Sequence, residues 1–139
     1  MSVEAENVQI LRQAYEAWAN SRAENIDCWI SIVADDARLS SLADGAPGLD
    51  FTRPRAGRSE ILDYLKALTA DWEMIFYRVD DFVAQGDRVV AIGATSWRSR
   101  RTQKVFVTPK VDVWRMKNGK VVQFAEFYDT ARIMAAAQP

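Results

Sequence analysis

Residues 111–128 read Val111-Asp112-Val113-Trp114-Arg115-Met116-Lys117-Asn118-Gly119-Lys120-Val121-Val122-Gln123-Phe124-Ala125-Glu126-Phe127-Tyr128. Apolar and polar residues alternate on both sides of Asn118-Gly119. An Asn-Gly pair supplies the two positive φ angles of a tight hairpin turn. The period of two therefore predicts antiparallel strands at 104–116 and 120–129, with Lys117 opposite Lys120 and Asp112 near Ala125.

The same period runs backwards along the chain. Strands fit at 73–84 and 88–99, with turns at Gln85-Gly86-Asp87 and Arg100-Arg101-Thr102. Before Trp72 the period is helical. Val8, Leu11, Tyr15 and Trp18 recur at spacings of three and four, which predicts a first helix over 3–19, with Ser2 as its cap. Asn25 caps a short second helix that carries Ile26, Trp29, Ile30 and Val33 inward and ends at Asp35-Asp36. A short strand follows at 38–42, then an irregular loop from Ala43 to Gly57. A third helix fits 58–69, and the tail from Thr130 forms a short turn of helix. Helices followed by an antiparallel meander give an α+β domain over 1–139, one curved sheet with helices against one face.

The long strands have two unlike faces. One carries Thr95, Trp97, Thr108, Lys110, Asp112, Trp114, Val122, Phe124, Glu126 and Tyr128, mixing aromatic rings with carboxyls as a pocket does. The other carries Val90, Ile92, Val105, Val107, Val111, Val113, Val121 and Phe127. A face that water covers should be polar, and this one is not. It predicts a homodimer through the outer sheet face.

Composition narrows the chemistry. The 139 residues include 18 basic and 19 acidic side chains, a formal charge of −1. No basic field exists to hold a phosphate backbone, so the reading gives no nucleic-acid partner. There is no histidine, which excludes His triads and imidazole shuttles. The reading assigns no metal and no cofactor. Cys28 stands alone among the residues and reads as a small buried hydrophobe. No stretch approaches a membrane span, and the acidic start is unlike a signal peptide, so the reading gives no membrane partner and a cytoplasmic location.

Several segments together resemble the nuclear transport factor 2-like superfamily, in particular its SnoaL-like and ketosteroid-isomerase-like group. They are Ala14-Tyr15-Glu16-Ala17-Trp18, Val33-Ala34-Asp35-Asp36-Ala37, Gly57 at the start of helix three, Gln85-Gly86-Asp87-Arg88-Val89, and the closing run through Glu126-Phe127-Tyr128-Asp129-Thr130-Ala131. The resemblance implies a cone-shaped curved antiparallel sheet wrapped around three helices from the N-terminal half. It also implies a deep apolar pocket and dimers through the sheet. In ketosteroid isomerases a catalytic Asp occupies what is Ser41 here, so this chain lacks that base. Their oxyanion-hole Tyr falls near Ala14, beside Tyr15, and their oxyanion-hole Asp matches Asp112. Polyketide cyclases and epoxide hydrolases of the group place an acid/base at what is Glu126.

Two functions stay open on this reading. The first is a cofactor-independent acid/base enzyme of isomerase, cyclase, dehydratase or hydrolase type acting on a small apolar molecule. Its catalytic residues are Asp112 and Glu126, with Glu126 the base and Asp112 the acid or oxyanion donor. Tyr15, Trp18, Thr95, Trp97, Trp114, Phe124 and Tyr128 line its pocket. The alternative is a non-catalytic ligand-binding or dimerisation module of the same fold. A cation neutralising the carboxyl pair counts toward the module. Asp44 and Asp50, on the long loop, stand in reserve as replacement bases.

Overall fold

The computed structural model describes all residues, 1–139. In chain order the elements are α1 (Val3–Asn20), α2 (Asp27–Ile30), β1 (Val33–Ser41), a 3₁₀ turn at Asp50–Thr52, β2 (Arg55–Ala56), α3 (Arg58–Asp71), β3 (Trp72–Gln85), β4 (Arg88–Ser99), β5 (Val105–Lys117), β6 (Lys120–Tyr128) and α4 (Thr130–Ala137). The six strands form one open sheet in the order β2-β1-β6-β5-β4-β3. No helix is long and apolar enough to cross a membrane.

The sheet is mixed rather than purely antiparallel. β1 runs parallel to β6, while every other neighbour is antiparallel. The parallel pair joins residues 85 or more positions apart, such as Ser41 and Glu126. Local pattern carries no signal for such a pairing. The second helix is also shorter than its apolar spacing predicts, and β1 starts at Val33 instead of Arg38. Val33, Ala37, Leu39 and Ser41 are buried while Asp35, Asp36, Arg38 and Ser40 are exposed. Pairing of Val33 with Val121 overrides the low strand preference of Asp35-Asp36.

Hairpin β5–β6 carries a bulge that changes its register. Lys117 pairs with Lys120 and Met116 with Val121, but Arg115 pairs with Gln123, so Val122 is the extra residue. Val121 therefore turns into the core, 1% exposed, and not onto the outer face. Val122 gives up its place on the inner face and is only half-buried. Beyond the bulge, Trp114 faces Phe124 and Asp112 faces Glu126 directly, instead of Ala125.

Strand β3 has two such shifts, between Met74 and Phe76 and between Val79 and Asp81. The first brings Tyr77 opposite Thr95, on the inner face. At the second, β3 and β4 approach so closely that only a glycine fits. A Cβ on Gly93 would lie 1.9 Å from the Arg78 carbonyl oxygen.

The helices close the inner face. Ser2 caps α1, its Oγ accepting from the Ala5 N–H at 3.1 Å. That helix buries Leu11, Ala14, Tyr15 and Trp18. From α3 come Ile61, Tyr64 and Leu65, and from α4 Ile133. Asp129 caps α4 by accepting from the Arg132 N–H at 3.3 Å. On the outer face, Ile92, Val105, Val107 and Phe127 are 39–48% exposed.

Candidate functional site

The inner face and the helices enclose a cavity of about 100 Å³, lined by 24 residues of which 19 are hydrophobic. That is room for several waters or one small organic group. The nine residues singled out from the sequence all line it. Asp44 and Asp50 do not. Both are exposed, and from their loop it is Phe51 that reaches the wall, stacked 6.1 Å from Tyr64.

Three charges sit together at the polar end. Lys110 Nζ lies 2.6 Å from Asp112 Oδ1 and 3.0 Å from Glu126 Oε1. The side chains of Lys110, Asp112 and Glu126 are 9%, 2% and 7% exposed. Strand geometry places them: Lys110 and Asp112 are two apart on β5, and the bulge at Val122 sets Glu126 across from Asp112. The cation that weighs toward a structural pair is therefore present, between the two carboxylates.

Three tyrosines complete the network from three different elements. Tyr15 of α1 and Tyr77 of β3 each donate to Asp112 Oδ2 at 2.5 Å. Tyr64 of α3 donates to Glu126 Oε2 at 2.7 Å. Lys110 Nζ also donates to the Tyr77 hydroxyl at 3.0 Å, and Trp114 Nε1 donates to the Tyr15 hydroxyl at 2.8 Å. The ammonium thus donates two hydrogen bonds, to Asp112 and Tyr77, and keeps Glu126 as an ion contact. No buried side-chain nitrogen or oxygen lacks a partner.

The two carboxylates differ in what they have left. A carboxylate offers about four lone-pair sites. Asp112 accepts three bonds, from Lys110, Tyr15 and Tyr77. Glu126 accepts one hydrogen bond, from Tyr64 on Oε2, and meets Lys110 as an ion contact on Oε1, which leaves most of its acceptor capacity open.

The remaining lining residues build walls. Trp29 and Trp114 stack at 5.1 Å, and Trp18 meets Trp29 and Trp97 at 6.2 and 6.3 Å. Phe124 lies 4.3 Å from Trp114. Thr95 accepts from Trp97 Nε1 at 2.7 Å and donates to the Phe76 carbonyl at 2.9 Å, so its hydroxyl is spent. Tyr128 shares a short hydrogen bond with Ser41 and accepts from the Ala43 N–H at 3.1 Å, pinning the start of the long loop.

The SnoaL-like domain profile matches residues 11–124. The chain belongs to the SnoaL-like family. Solved structures agree on the fold. A nuclear transport factor 2-like protein from Burkholderia thailandensis is 26% identical, with 96% of this chain and 98% of that one covered at a TM-score of 0.81. One of unknown function from Burkholderia pseudomallei is 23% identical over 100% of both chains at 0.82. A protein of ketosteroid-isomerase-like fold from Catenulispora acidiphila, solved in complex with trimethylamine, is 15% identical over 93% and 92% at 0.74. No curated protein matches by sequence.

Sequence reasoning on this SnoaL-like domain missed Tyr64 and Tyr77, and gave Lys110 no part in the site beyond that of a neutralising cation. Tyr64 stands at helical spacing between Ile61 and Leu68, where a core residue gives the same signal. For Tyr77 the misleading step is the β3 bulge. Strict alternation from Trp72 and Met74 would turn Phe76 inward and Tyr77 out. Cys28 is half-buried, and burial pushes its thiol up to about 11, so it stays protonated near neutrality.

Burial alone would push the Lys110 ammonium down, but the carboxylates of Asp112 and Glu126 outweigh it and the net shift is up. Burial, followed by the charge of Asp112, pushes Tyr15 and Tyr77 well up. Burial and then Glu126 do the same to Tyr64, and more mildly to Tyr128. In the unfolded chain tyrosine and lysine lose protons at about 10 to 10.5. The folded chain holds these protons to higher pH. Unfolding therefore releases protons in that range, and stability falls as pH rises past it, with no such loss below. We predict that ultraviolet tyrosinate absorbance rises together with loss of the circular-dichroism signal, above pH 10. Independent tyrosine titration in the folded protein would contradict the network.

Proposed function

We propose that the cavity binds a small, largely apolar molecule and that Glu126 exchanges a proton with it, without a cofactor. The observation that carries this reading is the unequal use of the two carboxylates. Glu126 is the lining carboxylate with more open acceptor sites, and it is held by Tyr64 and Lys110. A proton leaving a bound carbon acid or a bound water has in Glu126 the carboxylate least occupied by other donors. Asp112 takes a different role from the acid suggested by its sequence position. Three donors converge on it and no acceptor does, so it positions Tyr15, Tyr77 and Lys110. The aromatic walls hold the substrate's apolar body by shape and dispersion. This supports an isomerase, cyclase, dehydratase or hydrolase type of reaction.

One observation favours the second reading, a non-catalytic binding module. Lys110 offsets one of the two carboxylate charges, and every buried side-chain polar atom has a partner without any ligand. Glu126→Gln separates the two, because it keeps size and hydrogen bonding but removes the proton acceptor. On a substrate that the wild type turns over, kcat should drop by ~10²–10⁴-fold with affinity nearly unchanged. Full activity in the variant overturns the assignment. Ligand binding without turnover in the wild type, altered only in affinity by the substitution, establishes the module.

The outer sheet face supports a homodimer. Ile92, Val105, Val107 and Phe127 form a half-exposed apolar surface on a chain whose net charge is only −1. A second copy on a two-fold axis buries this patch against itself. Light scattering at micromolar concentration should give twice the monomer mass, and Val107→Glu should give a monomer or an aggregate. A wild-type monomer at that concentration rules out the dimer.

A further inference from the structure

We infer that the ligand of this cavity carries a positive charge, and that its class is a small organic amine bound as the ammonium ion. The inference rests on the reading of the cavity as a binding site and adds the charge of what it takes. Among the lining residues only Lys110, Asp112 and Glu126 carry formal charges, paired as ions at 2.6 and 3.0 Å. The four tyrosines of the lining hold their protons and count as neutral. One positive and two negative charges leave the cavity at −1.

Lys110 is the one cation that lines the cavity. Arg55 is buried nearby, but it is not a lining residue. Its guanidinium donates to the Phe51 and Arg53 carbonyls. An uncompensated charge in an apolar enclosure is costly, and a ligand that brings the opposite charge removes the cost. An ammonium ligand takes the cavity to zero, a neutral ligand leaves it at −1, and a carboxylate takes it to −2.

The site also has a place for the ammonium. Glu126 is 7% exposed, lines the cavity and has open acceptor sites. Lys110 contacts Oε1, which leaves Oε2, shared with Tyr64 alone, for a second donor. The surrounding rings suit a cation. Lys110 Nζ already lies 5.3 Å from the Tyr77 ring centre and 5.8 Å from that of Phe124. Ring faces attract positive charge through their quadrupoles. The cavity of about 100 Å³ sets the scale of the ligand at one small ring or a short branched chain.

The test varies the head group on a constant ring. Benzylamine, benzyl alcohol and benzoate are titrated calorimetrically at pH 7 into the wild type and into Glu126→Gln. The wild type should bind benzylamine at least ~10-fold more tightly than benzyl alcohol, with benzoate weakest. In Glu126→Gln the cavity is neutral, and the advantage of the amine should shrink to about twofold or less. Equal binding of amine and alcohol by the wild type overturns the inference and leaves the pocket reading standing. A proton held within the triad in place of a ligand cation would give that result. Tighter binding of benzoate also overturns it, as does an amine preference that survives Glu126→Gln. Binding of none of the three at millimolar concentration defeats the inference together with the pocket reading. The wild-type series decides by itself if the variant does not fold.

Discussion

The ammonium of Lys110 touches two carboxylates and a phenol at once, and all three charged side chains are buried. Taking three charges out of water costs several kcal/mol per ion unless each finds close partners. The rest of the architecture supplies those partners. β5 brings Lys110 and Asp112, β6 brings Glu126, and α1, α3 and β3 each send one tyrosine hydroxyl. The tertiary arrangement of helices on sheet and the hydrogen-bond arithmetic of one lysine are therefore the same fact seen at two scales. A shift of α1 or α3 would strand a buried donor or acceptor, which costs about 1–3 kcal/mol each. The network thus adds direction to a core that aromatic packing alone would leave adaptable.

Much of this could be read in the chain. Asn118-Gly119 fixed the hairpin, and period-two alternation put Lys110, Asp112, Trp114, Phe124, Glu126 and Tyr128 on one face, where they are. The alternation failed where the backbone gains a residue. Counting from the turn set Asp112 against Ala125, and only the bulge at Val122 makes Glu126 its direct partner. The bulge in β3 hid Tyr77 in the same way. The parallel pairing of β1 with β6 had no local signature, because hydrophobic period reports which face a residue takes and not which distant strand lies beside it. The length of the second helix was misjudged because Val33 fits a helix face and a strand equally well.

The site's chemistry follows from how the acceptors are shared. Both carboxyls were identified from their strand faces, but nothing local distinguished their roles. The distinction lies in what reaches them: three hydrogen-bond donors on Asp112, one donor and the Lys110 ion contact on Glu126. Asp112 is nearly filled by its donors, whereas Glu126 keeps most of its acceptor sites, and both line the cavity. With no histidine in the chain, this carboxylate, held by Lys110 and Tyr64, is the group we propose for proton exchange. Membership of the SnoaL-like family establishes the scaffold, and the assignment of roles comes from these contacts.

The coupling between Lys110 and Asp112 is the quantity on which this account stands. It is measured by a double-mutant cycle of Lys110→Met and Asp112→Asn, read by denaturant unfolding at neutral pH. Lys110→Met alone should cost ~3–5 kcal/mol, because it leaves two carboxylates buried without a cation. In the Asp112→Asn background the same substitution should cost less, with a coupling of ~1–3 kcal/mol. Costs that add to within about 0.5 kcal/mol would mean that the lysine and the carboxylate do not depend on one another, and would contradict the account.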